Sequence, residues 1–248
     1  MMINEPTKQK KFELTENTKS LHGRTLFQIR ALISFADVRE GDLGGWVEKE
    51  ENLSQEDNAW VYDDGCVFEN GRVSENGRVS GNSQVDGSSR VSGNSRVAGN
   101  GEVFGNSRVS GNSLVTDYAQ VYGHSLVTGN SLVDGNSQVS GYSRVSGNSR
   151  VAGNSLVTGN SQVSGDSQVS GYSRVSGNSQ VSGDSRVSGN SQVSGSSHVS
   201  GNSCVSGYSR ITGHSLVTDD AEVYGHSLVT GNSRVRGNSR IAGDSKVF

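Results

Sequence analysis

An aliphatic residue stands at every sixth position of this chain from Val61 to Val247, which makes 32 hexads without a gap. The repeating unit reads Val-Ser-Gly-Asn-Ser followed by Arg or Gln, with small variations. A helix needs apolar residues at three- and four-residue intervals and an ordinary strand needs alternation, so neither pattern fits. Six-residue periods are typical of β-helices, in which short coils stack and bury a continuous core. The period therefore predicts an all-β solenoid.

Each position of the hexad has a predicted role. Three residues of strand point one Val inward, and Gly and Asn tolerate the positive φ angles that a sharp corner needs. The second Ser of the hexad then lies inside the bend, where its hydroxyl must find a hydrogen-bond partner. Asn residues stacked from coil to coil add specificity. We expect a narrow core with one Val and one small residue per side of each coil.

The hexads also resemble a known repeat. Val91–Arg96 and Val157–Gln162 carry an aliphatic first residue, a small or polar second residue and Ser as the fifth. This pattern resembles the hexapeptide repeat of left-handed parallel β-helices. The resemblance implies a left-handed triangular prism with three hexads per coil and about 10–11 coils, and a rod on the order of 50 Å long at the usual strand spacing.

The chain before the repeats has a different character. Residues 1–10 are polar and are predicted to form a disordered tail. Residues 11–46 are predicted to form an N-terminal capping region, a β-hairpin or small sheet over the first coil, and residues 47–248 the β-helix. A cap must supply the large apolar side chains that the repeats lack. Those residues are Phe12, Phe27, Phe35 and Trp46.

A second resemblance concerns the junction between the cap and the repeats. Stretches such as Leu26–Leu32, Gly41–Val47 and Trp60–Asp63 lie within about residues 24–68. Together with the repeats, this segment resembles a family of bacterial and prophage-encoded hexapeptide-repeat proteins that are named as transferases. The resemblance implies a bacterial or prophage origin. The transferase name derives from the shared repeat and does not itself establish chemistry.

Charge and cysteine content restrict the function classes. The net charge is −3, and the repeats from residue 60 onward carry 14 basic and 14 acidic residues. A neutral rod disfavours nucleic acid as a partner. Cys66 and Cys204 lie too far apart along a rod to form a disulfide, and two free thiols indicate a cytoplasmic protein. No long apolar run predicts a membrane partner, and no motif predicts a cofactor or a metal site.

One predicted face carries arginine beside hydroxyl groups. Counting every eighteenth residue places Arg72, Arg90, Arg108 and Arg144 in one column, next to Ser74 and its equivalents. Stacked arginines make a positive strip that could hold a polyanion or a glycan. The simpler interpretation is a solvated face that deters edge pairing, and both interpretations stay open at this point.

Tyrosine replaces the corner Asn in four hexads. Tyr combines apolar area with a polar tip, so these residues could contact sugars or a partner protein, or could merely shield a corner. The four residues are Tyr118, Tyr142, Tyr172 and Tyr208.

Histidine is the residue that would support an enzyme. Left-handed β-helix acyltransferases resemble this repeat, act as trimers and use His as general base. The candidates here are His124, His198, His214 and His226. Those enzymes form substrate sites from loops that interrupt the coils, and 32 unbroken hexads leave no such loop. No catalytic residue is therefore predicted, although an acyltransferase-like trimer remains an alternative.

The sequence favours a non-enzymatic scaffold or protein-binding rod. Ser113–Val133 recurs at Ser215–Val235, an offset of 102 residues that is not a multiple of 18. The copy therefore moves to a different face, which favours rod length or generic surface over one precise site. The last coil is predicted to present an unpaired edge for self-association, so partners are expected to be a second copy or another protein. The edge residues are Ile241, Val247 and Phe248.

Overall fold

The structure, a computed structural model, describes residues 9–248 and is almost entirely β. Three longer strands come first: β1 (Phe12–Leu21), β2 (Arg24–Ala31) and β3 (Leu43–Val47). A single 3-10 turn, Glu50–Asn52, follows. The remaining 32 strands, β4 to β35, have two residues each; they begin at residue 60 and at every sixth residue after it, from Trp60–Val61 to Lys246–Val247.

The short strands form three parallel sheets that wrap around the core. Sheet 1 has 14 strands: the three N-terminal strands, then every third strand from β5 (Cys66–Val67) to β35. Sheet 2 has 11, from β4 to β34 (Arg240–Ile241), and sheet 3 has 10, from β6 (Arg72–Val73) to β33 (Arg234–Val235). Each strand pairs with the strand eighteen residues further on, without a shift in register. A parallel β-solenoid of about 11 coils is confirmed, and its left hand stays a prediction.

The core consists of the repeated valines and of buried serines. The second residue of every strand from Val61 to Val229 is buried, and full burial of a Val side chain contributes roughly 1.5–3 kcal/mol. The fifth residue of the hexad is also inside. Ser155, for example, donates its hydroxyl to the carbonyl of Ala152 at 2.7 Å. The prediction that these hydroxyls find hydrogen-bond partners is confirmed, and the partners are backbone carbonyls.

Corner glycines let successive coils approach closely. Gly159 has φ +76°, and a Cβ there would lie 2.7 Å from the carbonyl oxygen of Gly177 in the next coil. At five corners an acidic residue with positive φ stands in place of this glycine, and its carboxylate accepts the N–H of the glycine one coil further on at 2.7–3.2 Å. These residues are Asp63, Glu69, Glu75, Asp117 and Asp219.

The N-terminal strands extend one sheet of the solenoid. β1 and β2 form an antiparallel hairpin, β3 pairs antiparallel with β2, and β3 also pairs parallel with β5. The rings of Phe12 and Phe35 pack edge-on against Trp60, at centroid distances of 6.3 and 5.4 Å. Of the predicted disordered tail at residues 1–10, residues 1–8 lie outside the described part of the chain.

A buried lysine fastens this region to the chain that precedes β4. The Lys11 side chain is 2% exposed, and its ammonium donates to the carbonyl oxygens of Glu56 at 3.1 Å and Ala59 at 2.8 Å. The ammonium also lies 5.0 Å from the centre of the Phe35 ring. Burial lowers the pKa of Lys11 to about 8, and nearby Asp57 opposes that shift.

Candidate functional site

The surface of the solenoid has three edges, where consecutive sheets meet, and each edge carries one column of corner residues. The tyrosine edge runs from Asp64 to Asp244 between sheets 2 and 1 in steps of eighteen residues. In the same steps, the histidine edge runs from Asn70 to Asn232 between sheets 1 and 3, and the asparagine edge runs from Asn76 to Asn238 between sheets 3 and 2. Corner residues that are eighteen or more positions apart in the sequence therefore lie next to one another along an edge.

The tyrosine edge collects three of the four predicted tyrosines. Tyr118, Tyr172 and Tyr208 are 64%, 68% and 58% exposed. Tyr118 and Tyr172 are three coils apart, and Tyr172 and Tyr208 are two coils apart. At about 4.8 Å per coil, these separations are about 14 and 10 Å. The fourth, Tyr142, is equally exposed but lies on the histidine edge.

Two of the histidines stack on tyrosines instead of assembling a catalytic group. His124 lies parallel to Tyr142 with ring centres 4.8 Å apart, and His226 lies parallel to Tyr208 at 4.9 Å. His214 is an exposed corner residue, and His198 is exposed on a strand of sheet 3. In residues 9–248, no hydrogen bond links any of these four side chains to another residue. They therefore lack the carboxylate or carbonyl that orients a general base.

The asparagine edge is joined by its own side chains. From Asn58 to Asn148, each side-chain amide donates to the carbonyl or carboxylate oxygen of the residue one coil further on, at 2.7–2.9 Å. Six such bonds run in succession, so the ladder spans seven residues. Its members are Asn58, Asn76, Asn94, Asn112, Asn130, Asn148 and Asp166. The predicted stacking of Asn residues is therefore present along this edge.

Sheet 3 carries the predicted arginine column, and we call its first three members, Arg72, Arg90 and Arg108, the arginine face. These residues lie opposite one another on β6, β9 (Arg90–Val91) and β12 (Arg108–Val109), and all three are exposed. Leu126 occupies the fourth place, and Arg144 the fifth. Within residues 9–248 the arginine face forms no ion pair.

A shallow depression of about 460 Å³ lies at the cap end of the arginine face. Arg72 and Arg90 line it together with hydroxyl groups, and two carboxylates complete its wall. One of them, Glu75, accepts the N–H of Gly93 at 2.7 Å. The other, Glu51, faces the depression without a hydrogen bond to another described residue. The depression therefore has mixed charge beside Arg72, and Arg108 lies outside it, further along the arginine face.

Two polar clusters that the sequence did not predict connect the cap to the coils. Arg78 donates twice to Asp37, at 2.8 and 3.0 Å, and Tyr62 donates its hydroxyl to the same carboxylate at 2.9 Å. Burial, with the Asp37 hydrogen bond as the next contribution, raises the pKa of Tyr62 to about 12. Elsewhere, Arg24 pairs with Glu48 and Glu69 at 2.8 Å each. No repeat position distinguishes these residues, so only the folded cap reveals them.

Asp86, which directly follows the sheet 1 strand Gln84–Val85, has a carboxyl group with a raised pKa. Burial raises its pKa to about 6, and the negative charges of Glu69 and Glu102 add to the shift. His22 and Arg24 of the hairpin act in the opposite direction. The fold therefore disfavours the ionised form of Asp86 near neutral pH.

The residues predicted for self-association lie in the last coil. Ile241 pairs with Val223 and Val247 with Val229, and both are partly exposed. Phe248 is 81% exposed. Cys66 and Cys204 are both free, as predicted.

Searches for similar proteins give no identification: no family model matches the chain, and no curated protein matches it. Over residues 9–248 there is no group of His, Cys, Asp and Glu side chains that could hold a metal ion. In the same part of the chain, no helix is long and apolar enough to span a membrane. Fold and surface together define the chain as a parallel β-solenoid with chemically distinct edges.

Proposed function

We propose that this protein is a non-catalytic binding rod whose contact surface is the tyrosine edge and whose partner is a second copy of the chain. The observation that supports the proposal is the exposure of Tyr118, Tyr172 and Tyr208 along one straight edge. Tyrosine is enriched at the centres of protein interfaces because it buries a large apolar ring and keeps a polar tip. Asn, the usual corner residue, would serve the fold equally well.

The spacing of the three tyrosines suits a two-fold antiparallel pair. When a second rod runs in the opposite direction, Tyr118 of each copy lies at the same height along the rod as Tyr208 of the other copy. Tyr172 then lies one coil, about 4.8 Å, from its own symmetry mate. Rings at that separation already stack within the chain, as His124 and Tyr142 do at 4.8 Å.

Sedimentation velocity over a wide concentration range tests this proposal. In the triple variant Tyr118→Asn, Tyr172→Asn and Tyr208→Asn, each corner receives the residue most common there, so the fold is retained. We expect the wild type to dimerise and the triple variant to dimerise at least about tenfold more weakly. Tyr142→Asn, on the histidine edge, is the matched control and should leave the association unchanged.

Sedimentation velocity also distinguishes association through the tyrosine edge from association through the last coil. Phe248→Asp places a charge in the edge formed by Ile241, Val247 and Phe248 and leaves the tyrosine edge intact. A loss of association in that variant alone would assign the contact to the last coil. A wild type that stays monomeric at every concentration would contradict self-association altogether.

A further inference from the structure

The arginine face holds three like charges that form no ion pair with a described residue and that the fold does not require. Arg72, Arg90 and Arg108 lie opposite one another, one coil or about 4.8 Å apart, and like charges directly opposite in a sheet are destabilising. Three arginines of sheet 2, by contrast, are paired with Asp37, Asp134 and Glu222. Gln fills the same column further along, at Gln162 and Gln180, so the solenoid does not depend on arginine there.

We infer that the arginine face binds a linear acidic polysaccharide whose sugars each carry a carboxylate. An extended chain of six-membered sugar rings advances by close to one coil per sugar, so each carboxylate can meet one guanidinium. Arginine binds carboxylates through two parallel N–H···O bonds, which fixes geometry as well as charge. This site is on sheet 3 and does not depend on the tyrosine edge.

The hydroxyl column beside the arginines fits the rest of a sugar. From Val73 to Val217, the residue after each Val of this face is a partly exposed Ser or Thr, and the side chain of Ser110 donates to that of Thr128 at 3.2 Å. Ser hydroxyls both donate and accept, as sugar hydroxyls do. The residues of the column beside the three arginines are Ser74, Ser92 and Ser110.

Nucleic acid fits this face less well. Phosphates of a duplex strand recur every 3.4 Å or so, which does not match a column with a spacing of about 4.8 Å. The protein as a whole has a net charge of −3, whereas nucleic-acid binding relies on an excess of positive charge. The arginine face presents no aromatic ring on which a base could stack.

Two residues limit the length of the site. Leu126 follows Arg108 in the column and offers no charge to a fourth sugar. Glu51, in the wall of the depression near Arg72, repels an anionic chain that extends toward the cap. The site therefore holds about three sugars, one per arginine. Removing the charge of Glu51 should strengthen binding.

The test uses labelled oligogalacturonates of one to six sugars and the full-length protein, with fluorescence anisotropy at low salt. Affinity should rise up to about three sugars and then level off, and it should fall with added salt. Arg72→Gln, Arg90→Gln and Arg108→Gln together should weaken binding by about 100-fold, because each change removes a charged group that donates two hydrogen bonds to a carboxylate. Glu51→Gln should tighten it.

The matched control changes three exposed arginines on the other two sheets, Arg174→Gln, Arg186→Gln and Arg210→Gln, and should bind as the wild type does. Equal losses in both triple variants, or no binding by the wild type, would overturn the inference. A single-stranded oligothymidylate is the competing ligand. If it binds more tightly than the oligogalacturonates, and the arginine-face triple variant abolishes that binding, the face is assigned to nucleic acid and the inference is overturned. The tyrosine variants should bind the oligosaccharide normally.

Discussion

At the corners of the solenoid, the missing side chain of glycine allows neighbouring coils to touch. Gly159 and Gly237 both have positive φ. A Cβ added at Gly159 would meet the backbone of Gly177, whereas a Cβ added at Gly237 would have no atom within 4 Å. Both alanine variants carry the cost of a left-handed backbone, and only Gly159→Ala adds a steric clash. We expect Gly159→Ala to destabilise the protein by about 1–3 kcal/mol more than Gly237→Ala in urea denaturation. Equal effects would contradict the close approach.

Asp86 provides a prediction about pH. Its pKa in the folded protein, about 6, lies above that of an ordinary Asp, so the fold favours the protonated form. Protonated Asp86 therefore favours the folded state. This contribution to the free energy of unfolding is fully present at pH below 4 or so and is lost as the pH rises through 6. Asp86→Asn should therefore stabilise the protein at pH 8 by about 1 kcal/mol, a figure reduced for partial exposure, and change little near pH 4. Thermal melts at both pH values measure this, and a pH-independent effect would contradict it.

Among the structural elements, the asparagine ladder offers a matched pair of sites. Asn112 donates to Asn130 and accepts from Asn94, at 2.9 Å each. Asn136, also exposed but on the tyrosine edge, makes no side-chain hydrogen bond to another described residue. Asn112→Ala should cost about 1 kcal/mol more than Asn136→Ala, because a hydrogen bond contributes about 0.5–1.5 kcal/mol net. Chemical denaturation measures the difference, and an equal cost would show that the ladder adds no stability.

The elements also show how far the sequence predicts the molecule. The six-residue period predicts each short strand, the buried Val and Ser, and the sheet to which Arg72 belongs, because every one of these depends on local pattern and a constant coil length. It does not predict that β3 joins sheet 1, or that Asp37 binds Tyr62 and Arg78, because those contacts link segments with no shared repeat. The alignment of Tyr118, Tyr172 and Tyr208 could have been found by the same count of eighteen that located the arginines.

On the scale of the whole molecule, the coil length of eighteen residues decides which side chains share an edge. A deletion of eighteen residues removes one coil and leaves every later residue on its own face. A deletion of six residues keeps the hexads and the core but moves every later residue to a different face. Both variants should therefore fold and give similar circular dichroism spectra, because each retains a continuous column of buried Val.

Sedimentation velocity of these two deletions tests the central claim most directly, namely that binding resides in columns of surface residues on a continuous rod. Removing residues 150–167 shortens the spacing of Tyr118 and Tyr172 from three coils to two and keeps all three tyrosines on the same edge. Tyr118 can still pair with Tyr208 of an antiparallel second copy. Removing residues 150–155 shifts Tyr172 and Tyr208 to the asparagine edge and leaves Tyr118 alone. We predict that the eighteen-residue deletion dimerises as the wild type does and that the six-residue deletion sediments as a monomer. Equal association of the two variants would contradict the claim.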